Sequence, residues 1–364
     1  MKKTLCLILA CLLVVGLFAA CGNEPAAPAA PAAPADPAAP AAPADPAAPP
    51  VDDTVYTLSF ASTSAEGSAK NTKIELVLKD KLYEKSNGRI VLDIYSSNTL
   101  ATSGEMLSAL TSGIADIGWF LCPVYQGQFP YSDLFSTPGL SYGTIEETDA
   151  ILREYSELYV DKLFETDVKL CLRGSIGTQQ LISTKDVATF DDIAGLTCRV
   201  TSSQLEFYEA AGVAAVSMSA SDVYEGLKLG TIEATVTGLE GMKRNKLAEV
   251  AVSATEIPMH VGEEAICMSW AKYNSLPADI QAIIDEVFKE MEPIFSAYTQ
   301  GEEDAAKDDA VAINPDFTFY TLNEEDLGKL KEIGTAQMEA KAASLDEMGL
   351  DGTGALQWLR DHAK

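Results

Sequence analysis

The chain has 364 residues, enough for two domains, and carries 54 acidic against 26 basic residues, a formal charge of −28 at neutral pH. Such a surface repels nucleic acid and anionic lipid, so no nucleic acid is expected as a partner, and any bound anion must be held by local cations. Two histidines, His260 and His362, and the lack of any CxxC pair leave metal catalysis without its usual ligands, and no cofactor is expected.

The first segment reads as an export device. Lys2 and Lys3 precede the apolar run TLCLILACLLVVGLFAA, which ends in Ala19-Ala20 before Cys21. A basic start, an apolar stretch and a small-residue exit make residues 1–20 a secretory signal, too short and wrongly flanked for a transmembrane helix. The exit FAAC resembles the lipobox of bacterial lipoproteins, with Phe18 where leucine is commoner. That resemblance implies cleavage before Cys21 and a lipid on its sulfur, which would hold the chain on the outer face of the cell membrane. The other reading is an ordinary signal peptide that contains a cysteine. Residues 24–50 are only Pro, Ala, Asp and Glu, with proline at every third position from Pro25 to Pro49. Polyproline II has three residues per turn, so these prolines stack along one face, and the segment reaches roughly 80 Å at full extension. We read 21–53 as an anchor and a semi-stiff stalk.

Beyond the stalk, strands and helices alternate. VYTLSFAS has the period-two pattern of a first strand, and a helix follows from about 69 to 84. NGRIVLDIYSS is turn and strand. SGEMLSALTSG is a short helix with Ser103 as N-cap and Gly113 as its stop, and IADIGWFL is the next strand. A helix at 145–165 leads into the strand DVKLCLRG. Further strands are expected near 180–183, 197–201, 213–217 and 232–237, helices at 203–211 and 219–229, and then the strand EAICMSW. Residues 275–313 read as one helix with Pro277 in its first turn and a kink at Pro293; at 1.5 Å per residue it spans roughly 55 Å, long enough to cross between two lobes. Cys122, Cys171, Cys198 and Cys267 each sit in apolar, strand-like surroundings and read as buried thiols.

In the strand of AGLTCRVTSSQ the one charge is Arg199. A guanidinium in a strand interior is costly unless an anion meets it. That anion is either a ligand or an acidic neighbour such as Asp191, Asp192 or Glu206.

DDIAGLTCRV, then EFYEAAGVAAVSMSASDVYEGLKLGTIEATVTGLEGMKRNKLAEVA, then SLPADIQAIIDEV resemble the DctP-type solute-binding proteins of tripartite ATP-independent periplasmic (TRAP) transporters. SNGRIVLDIYSSNTLATSGEMLSALTSGIADIG agrees in the N-terminal half, and the likeness covers about residues 55–360. It implies an α/β fold of two lobes, of the type II periplasmic-binding-protein kind, with a long helix spanning the hinge and the ligand in the interlobe cleft. We expect one lobe from 54–170 plus about 261–305 and a second from 171–260 plus about 306–364. It further implies a small organic acid as ligand and the two TRAP membrane subunits as partners, with no enzymatic activity. Arg199 occupies the place of the family's carboxylate-gripping arginine. Arg173, at the end of LCLRG, is either a second cation of the cleft or a structural ion-pair partner near the hinge. Thr237 stands where the family often has a ligand-contacting asparagine, which weakens assignment to the C4-dicarboxylate or sialic acid branches. Trp119 and Phe120 either line the cleft and favour a flat ligand or pack a lobe core. Tyr224 matches a family tyrosine with two open roles, and Glu66 and Ser68 fall on a loop that often faces the ligand.

Other functions fit less well. No GxSxG elbow, HExxH, P-loop or GxGxxG is present to support an enzyme. A binding protein that informs a membrane receptor kinase, or one that takes a neutral solute, would share the same pattern.

Overall fold

A computed structural model describes residues 53–364 apart from 126, 161–163, 165–167, 217 and 219–221. The signal segment, Cys21 and the stalk lie outside the described residues. Nine strands form one mixed sheet: β1 (Tyr56–Ala61), β2 (Ile90–Tyr95), β3 (Ile117–Phe120), β4 (Val168–Ser183), β5 (Thr197–Arg199), β6 (Ala214–Val216), β7 (Ala234–Gly238), β8 (Ser253–Ser269) and β9 (Thr318–Thr321). The order is β2-β1-β3-β8-β4-β7-β5-β6, with β9 also on β8.

Two strands make this sheet a pair of halves. β4 has 16 residues and β8 has 17, and they run antiparallel along their whole length. At one end, Ala265–Met268 of β8 accept β3 and so carry β1 and β2. At the other, Gln179–Ser183 of β4 accept β7, which carries β5 and β6, while Ser253–Glu256 accept β9. The β4–β8 register is irregular between Ser175 and Thr178 and again between Thr178 and Gln180, where one half passes into the other. Bulges of this kind bend a strand and raise its twist.

Each half-sheet is covered on both faces, as buried parallel strands require. In the first half, β1 and β3 place Leu58, Phe60, Ile117 and Trp119 on one face, and Ala61 and Phe120 on the other. In the second half, Leu181, Cys198 and Val236 face one cluster and Ile182, Val223 and Leu227 another.

The expected crossing helix is present as Ala278–Ile313, 36 residues, with Pro277 at its N-cap and Pro293 inside it. Its first part packs Ile280, Ile284, Val287 and Phe295 on the first half, and its last part packs Ala306 and Ala310 on the second. A second long helix, Glu324–Glu347, does the same on the opposite face, with Leu330 against the second half and Met338, Ala342 and Leu345 against the first. The segment 306–364, expected wholly in the second lobe, therefore contributes to both; the last helix, Gly352–His362, buries Ala355, Leu356 and Leu359 with Phe120 and Tyr155. Cys122, Cys171 and Cys198 are free thiols, and Cys267 is buried in the core of the first half. Burial pushes Cys122, Cys171 and Cys198 up to about 12, so they stay protonated and behave as small apolar groups.

Candidate functional site

Arg199 closes β5, a three-residue strand between two parallel neighbours, with Val216 of β6 on one side and Thr235 of β7 on the other. Ligands of open α/β sheets gather at such carboxyl ends of strands. The Arg199 Nε donates to the Met218 carbonyl at 3.1 Å, which holds the guanidinium plane. No carboxylate among the described residues forms an ion pair with it. Asp192 is instead engaged by Thr189 in a capping box, and Glu206 is exposed. Burial lowers the Arg199 pKa from its ordinary value, and only the neighbouring Cys198 thiol, not a carboxylate, acts the other way.

The guanidinium lines a cavity of about 210 Å³ that also takes its walls from Gln179 (β4), Thr235 and Thr237 (β7), and His260 and Glu263 (β8). A larger space of about 780 Å³ adjoins it, reaching Ser68, Lys70, Trp119, Lys243, Glu264 and Glu302. Leu121, Ile176, Gln179, Thr237, Arg244 and Asn245 border both, so the two form one cleft between the half-sheets. Ile176 and Gln179 come from the irregular stretch of β4, which brings the hinge into the wall of the cleft.

Charge inside the cleft is almost fully paired. Glu263 takes Arg173, with Nε at 2.8 Å and Nη2 at 2.6 Å from the same oxygen, and Ser136 donates to its other oxygen at 2.6 Å. Lys70 meets Glu264 at 2.5 Å and stands 4.6 Å over the Trp119 ring. Arg244 pairs with Glu240 one turn earlier, and Glu302 receives Lys73 at 2.7 Å and Lys243 at 3.6 Å. His260 is fully buried, its Nδ1 is 3.2 Å from the Tyr208 hydroxyl, and burial pushes its pKa down to about 3. The imidazole is therefore neutral at physiological pH.

The structure brings Arg199 and Thr237 into the inner cavity, and Trp119, Ser68 and Thr237 into the outer space. Arg173 stands behind Glu263: it is 4 % exposed, and Ser132 and Ser156 fill its remaining valences at 3.0 and 2.9 Å. Trp119 donates to Glu75 at 2.6 Å and is 3 % exposed. Phe120 lies in the core of the first half, stacked on Tyr125 and edge-on to Phe129 and Phe164. Tyr224 turns to Glu249 at 2.8 Å, and Glu66 is exposed; neither borders the cleft. Gln179, Thr235, His260 and Glu263 were not legible as wall residues. Their positions follow from the length and register of β4 and β8, which no local pattern encodes.

The family model of bacterial extracellular solute-binding proteins, family 7 (DctP), matches residues 60–344. A solute-binding protein of Sulfitobacter sp. strain NAS-14.1 is 26% identical over 282 residues, covering 75% of this chain and 83% of that protein. The sialic acid-binding protein SiaP of Vibrio cholerae is 24% identical over 266 residues, covering 67% and 76%. Among solved structures, a TRAP solute-binding protein from Rhodoferax ferrireducens with copurified benzoate superposes with a TM-score of 0.76 at 23% identity, covering 85% of this chain and 97% of that one. With most of its folded part matched and with the two-lobed fold these proteins share, the chain belongs to the DctP family of TRAP solute-binding proteins.

Proposed function

We propose that the chain captures a small organic carboxylate in the cleft and delivers it to the membrane subunits of a TRAP transporter. The observation that carries this reading is Arg199: a fixed, partly buried guanidinium with no acidic partner among the described residues, facing a cavity built from both half-sheets. Its two terminal nitrogens offer parallel N–H donors that match the two oxygens of a carboxylate. Related structures hold benzoate, mandelate, orotic acid, pyroglutamic acid and β-D-galacturonate, and each of these ligands is a carboxylic acid. The irregular stretch of β4 and the two long helices are the hinge about which the lobes close. We place the division within Ser175–Gln180 of β4, a few residues beyond the Leu170–Cys171 step expected from the sequence, and near Val261 of β8. Anchored through Cys21 and raised on the proline-rich stalk, the domain would work at the outer face of the membrane.

Isothermal calorimetry of Arg199 variants with any carboxylate that shifts the melting temperature tests this. Arg199→Ala should cost about a hundredfold in affinity, and Arg199→Lys, which keeps charge but loses the two-point fork, at least about tenfold. Unchanged affinity in Arg199→Ala removes the carboxylate seat from this site.

A further inference from the structure

Given the carboxylate seat at Arg199, we infer that the ligand is an aliphatic monocarboxylate bearing hydroxyl groups, of the sugar-acid or hydroxy-acid class, and that Gln179 and Thr235 read those hydroxyls. Charge sets the first restriction. Glu263, Glu264, Glu240 and Glu302 are each paired with a cation, so among the described cations of the cleft wall Arg199 alone lacks a carboxylate. One carboxylate neutralises the cleft; the second of a dicarboxylate would be left beside Glu263 without a partner.

Two buried donors set the second restriction. The Gln179 amide nitrogen and the Thr235 hydroxyl have no hydrogen-bond partner among the described residues, although their side chains are on residues only 5 % and 1 % exposed. Buried groups of this kind are almost always satisfied, and leaving one unmade is costly. Both border the inner cavity. Thr235 is the β7 partner of Arg199 itself, and Gln179 pairs with Gly238 at the far end of β7. The wall is also shaped for the amide: a Cβ on Gly262 would fall 2.5 Å from Gln179 Nε2. The Gln179 nitrogen requires an acceptor, and the Thr235 hydroxyl can donate or accept, so oxygens along the carbon chain of the ligand suit both.

The third restriction is what the wall does not offer. Among the described residues that border the inner cavity, His260 carries the one aromatic ring. Phe120 is spent in the core, and Trp119 has its N–H on Glu75 and its face under Lys70. A benzoate-like ring would meet aliphatic walls such as Leu121, Val223 and Val261 but no described aromatic face beyond His260 to stack on, and it would leave the Gln179 and Thr235 donors unmet.

Calorimetry on the intact chain with gluconate, galacturonate, hexanoate, benzoate, succinate and galactose decides the matter. Gluconate or galacturonate should bind at least tenfold more tightly than hexanoate, benzoate or succinate. Thr235→Val, which keeps shape, and Gln179→Leu should each weaken the hydroxylated acid about tenfold and leave hexanoate unchanged. Benzoate or hexanoate binding as tightly as the hydroxylated acids overturns the hydroxyl inference but keeps the clamp at Arg199. Binding of galactose alone overturns the clamp as well. Binding of neither gluconate nor galacturonate overturns the inference, as does a Thr235→Val variant that loses hexanoate in equal measure.

Discussion

Arg173 and Glu263 form the most deeply buried ion pair described, with side chains 1% and 0% exposed. Two charges in that position are stable only together, because each has lost its water and has the other as compensation. Ser132, Ser136 and Ser156 complete the network, and Phe135 lies 5.9 Å from the guanidinium. Glu263→Gln leaves an isolated guanidinium and should cost about 3–5 kcal/mol in urea unfolding, whereas the double variant Arg173→Met/Glu263→Leu should recover most of that loss. The pair also has a functional side. Glu263 borders the cavity, so Arg173→Met exposes an uncompensated carboxylate to an incoming one, and affinity should fall along with stability. A single variant that unfolds like wild type would mean that water, rather than the partner, supports these charges. Arg173 and Arg199, the two arginines that stood out in the sequence, thus differ: Arg173 holds one of the protein's own carboxylates, and Arg199, in the function proposed above, would hold one from outside. Local sequence could not separate them, since both read as closing a strand; in the structure Arg199 does close β5, but Arg173 lies inside β4, whose register on β8 sets it opposite Ala265 beside Glu263 and Glu264.

At the scale of elements, the short amphipathic units and the long crossing helix Ala278–Ile313 were legible, and the two long strands and the helix Glu324–Glu347 were not. β1, β2, β3, β5 and β6 fall inside the expected stretches, β7 runs one residue beyond its own, and the helix Met106–Ser112 ends on Gly113 at a φ of 77°, as a left-handed cap requires. Its start differs: Glu105 is the N-cap and Thr102 donates to the Glu105 carboxylate at 2.7 Å, leaving Ser103 to border the cleft. β4 was expected as two short strands, DVKLCLRG and 180–183, and of β8 only EAICMSW was expected, because glycines and polar residues interrupt their apolar runs; those interruptions are the bulged crossing. The helix Glu324–Glu347 carries Gly328 and Gly334, which weaken a helix on propensity grounds by about 1 kcal/mol each. The two glycines have opposite reasons. A Cβ on Gly334 would lie 2.4 Å from the Pro138 carbonyl oxygen and 2.6 Å from Gly139 Cα, so backbone meets backbone, while nothing lies within 4 Å of one on Gly328. Gly334→Ala should therefore destabilise by about 1–3 kcal/mol despite the better helix former, and Gly328→Ala should stabilise by up to about 1 kcal/mol. Equal shifts in the melting temperature for both would show that the helix does not seat on the 138–139 turn.

The whole molecule sets a problem for its own ligand. At −28 the chain repels any carboxylate that approaches, yet the cleft gathers Arg199, Arg244, Lys70 and Lys243. These act at different ranges. All but Arg199 are paired with glutamates, so from a distance the cleft presents little positive field, and the acidic exterior dominates. Within the cleft, exclusion of water makes the Arg199 contact strong and shields it from salt. The two ranges separate in kinetics. Raising ionic strength from 0.01 to 0.15 M shortens the screening length from about 30 to about 8 Å, which removes the repulsion of the outer surface but not the contact inside. Stopped-flow association of a carboxylate should therefore become several-fold faster with salt, with dissociation almost unchanged, the reverse of a steered encounter. Association that slows with salt would show that the paired lysines at the mouth still act as an attracting field. In that event Glu302→Gln, which releases Lys73 and leaves Lys243 with Asp309 alone at 3.3 Å, should steepen the salt dependence further.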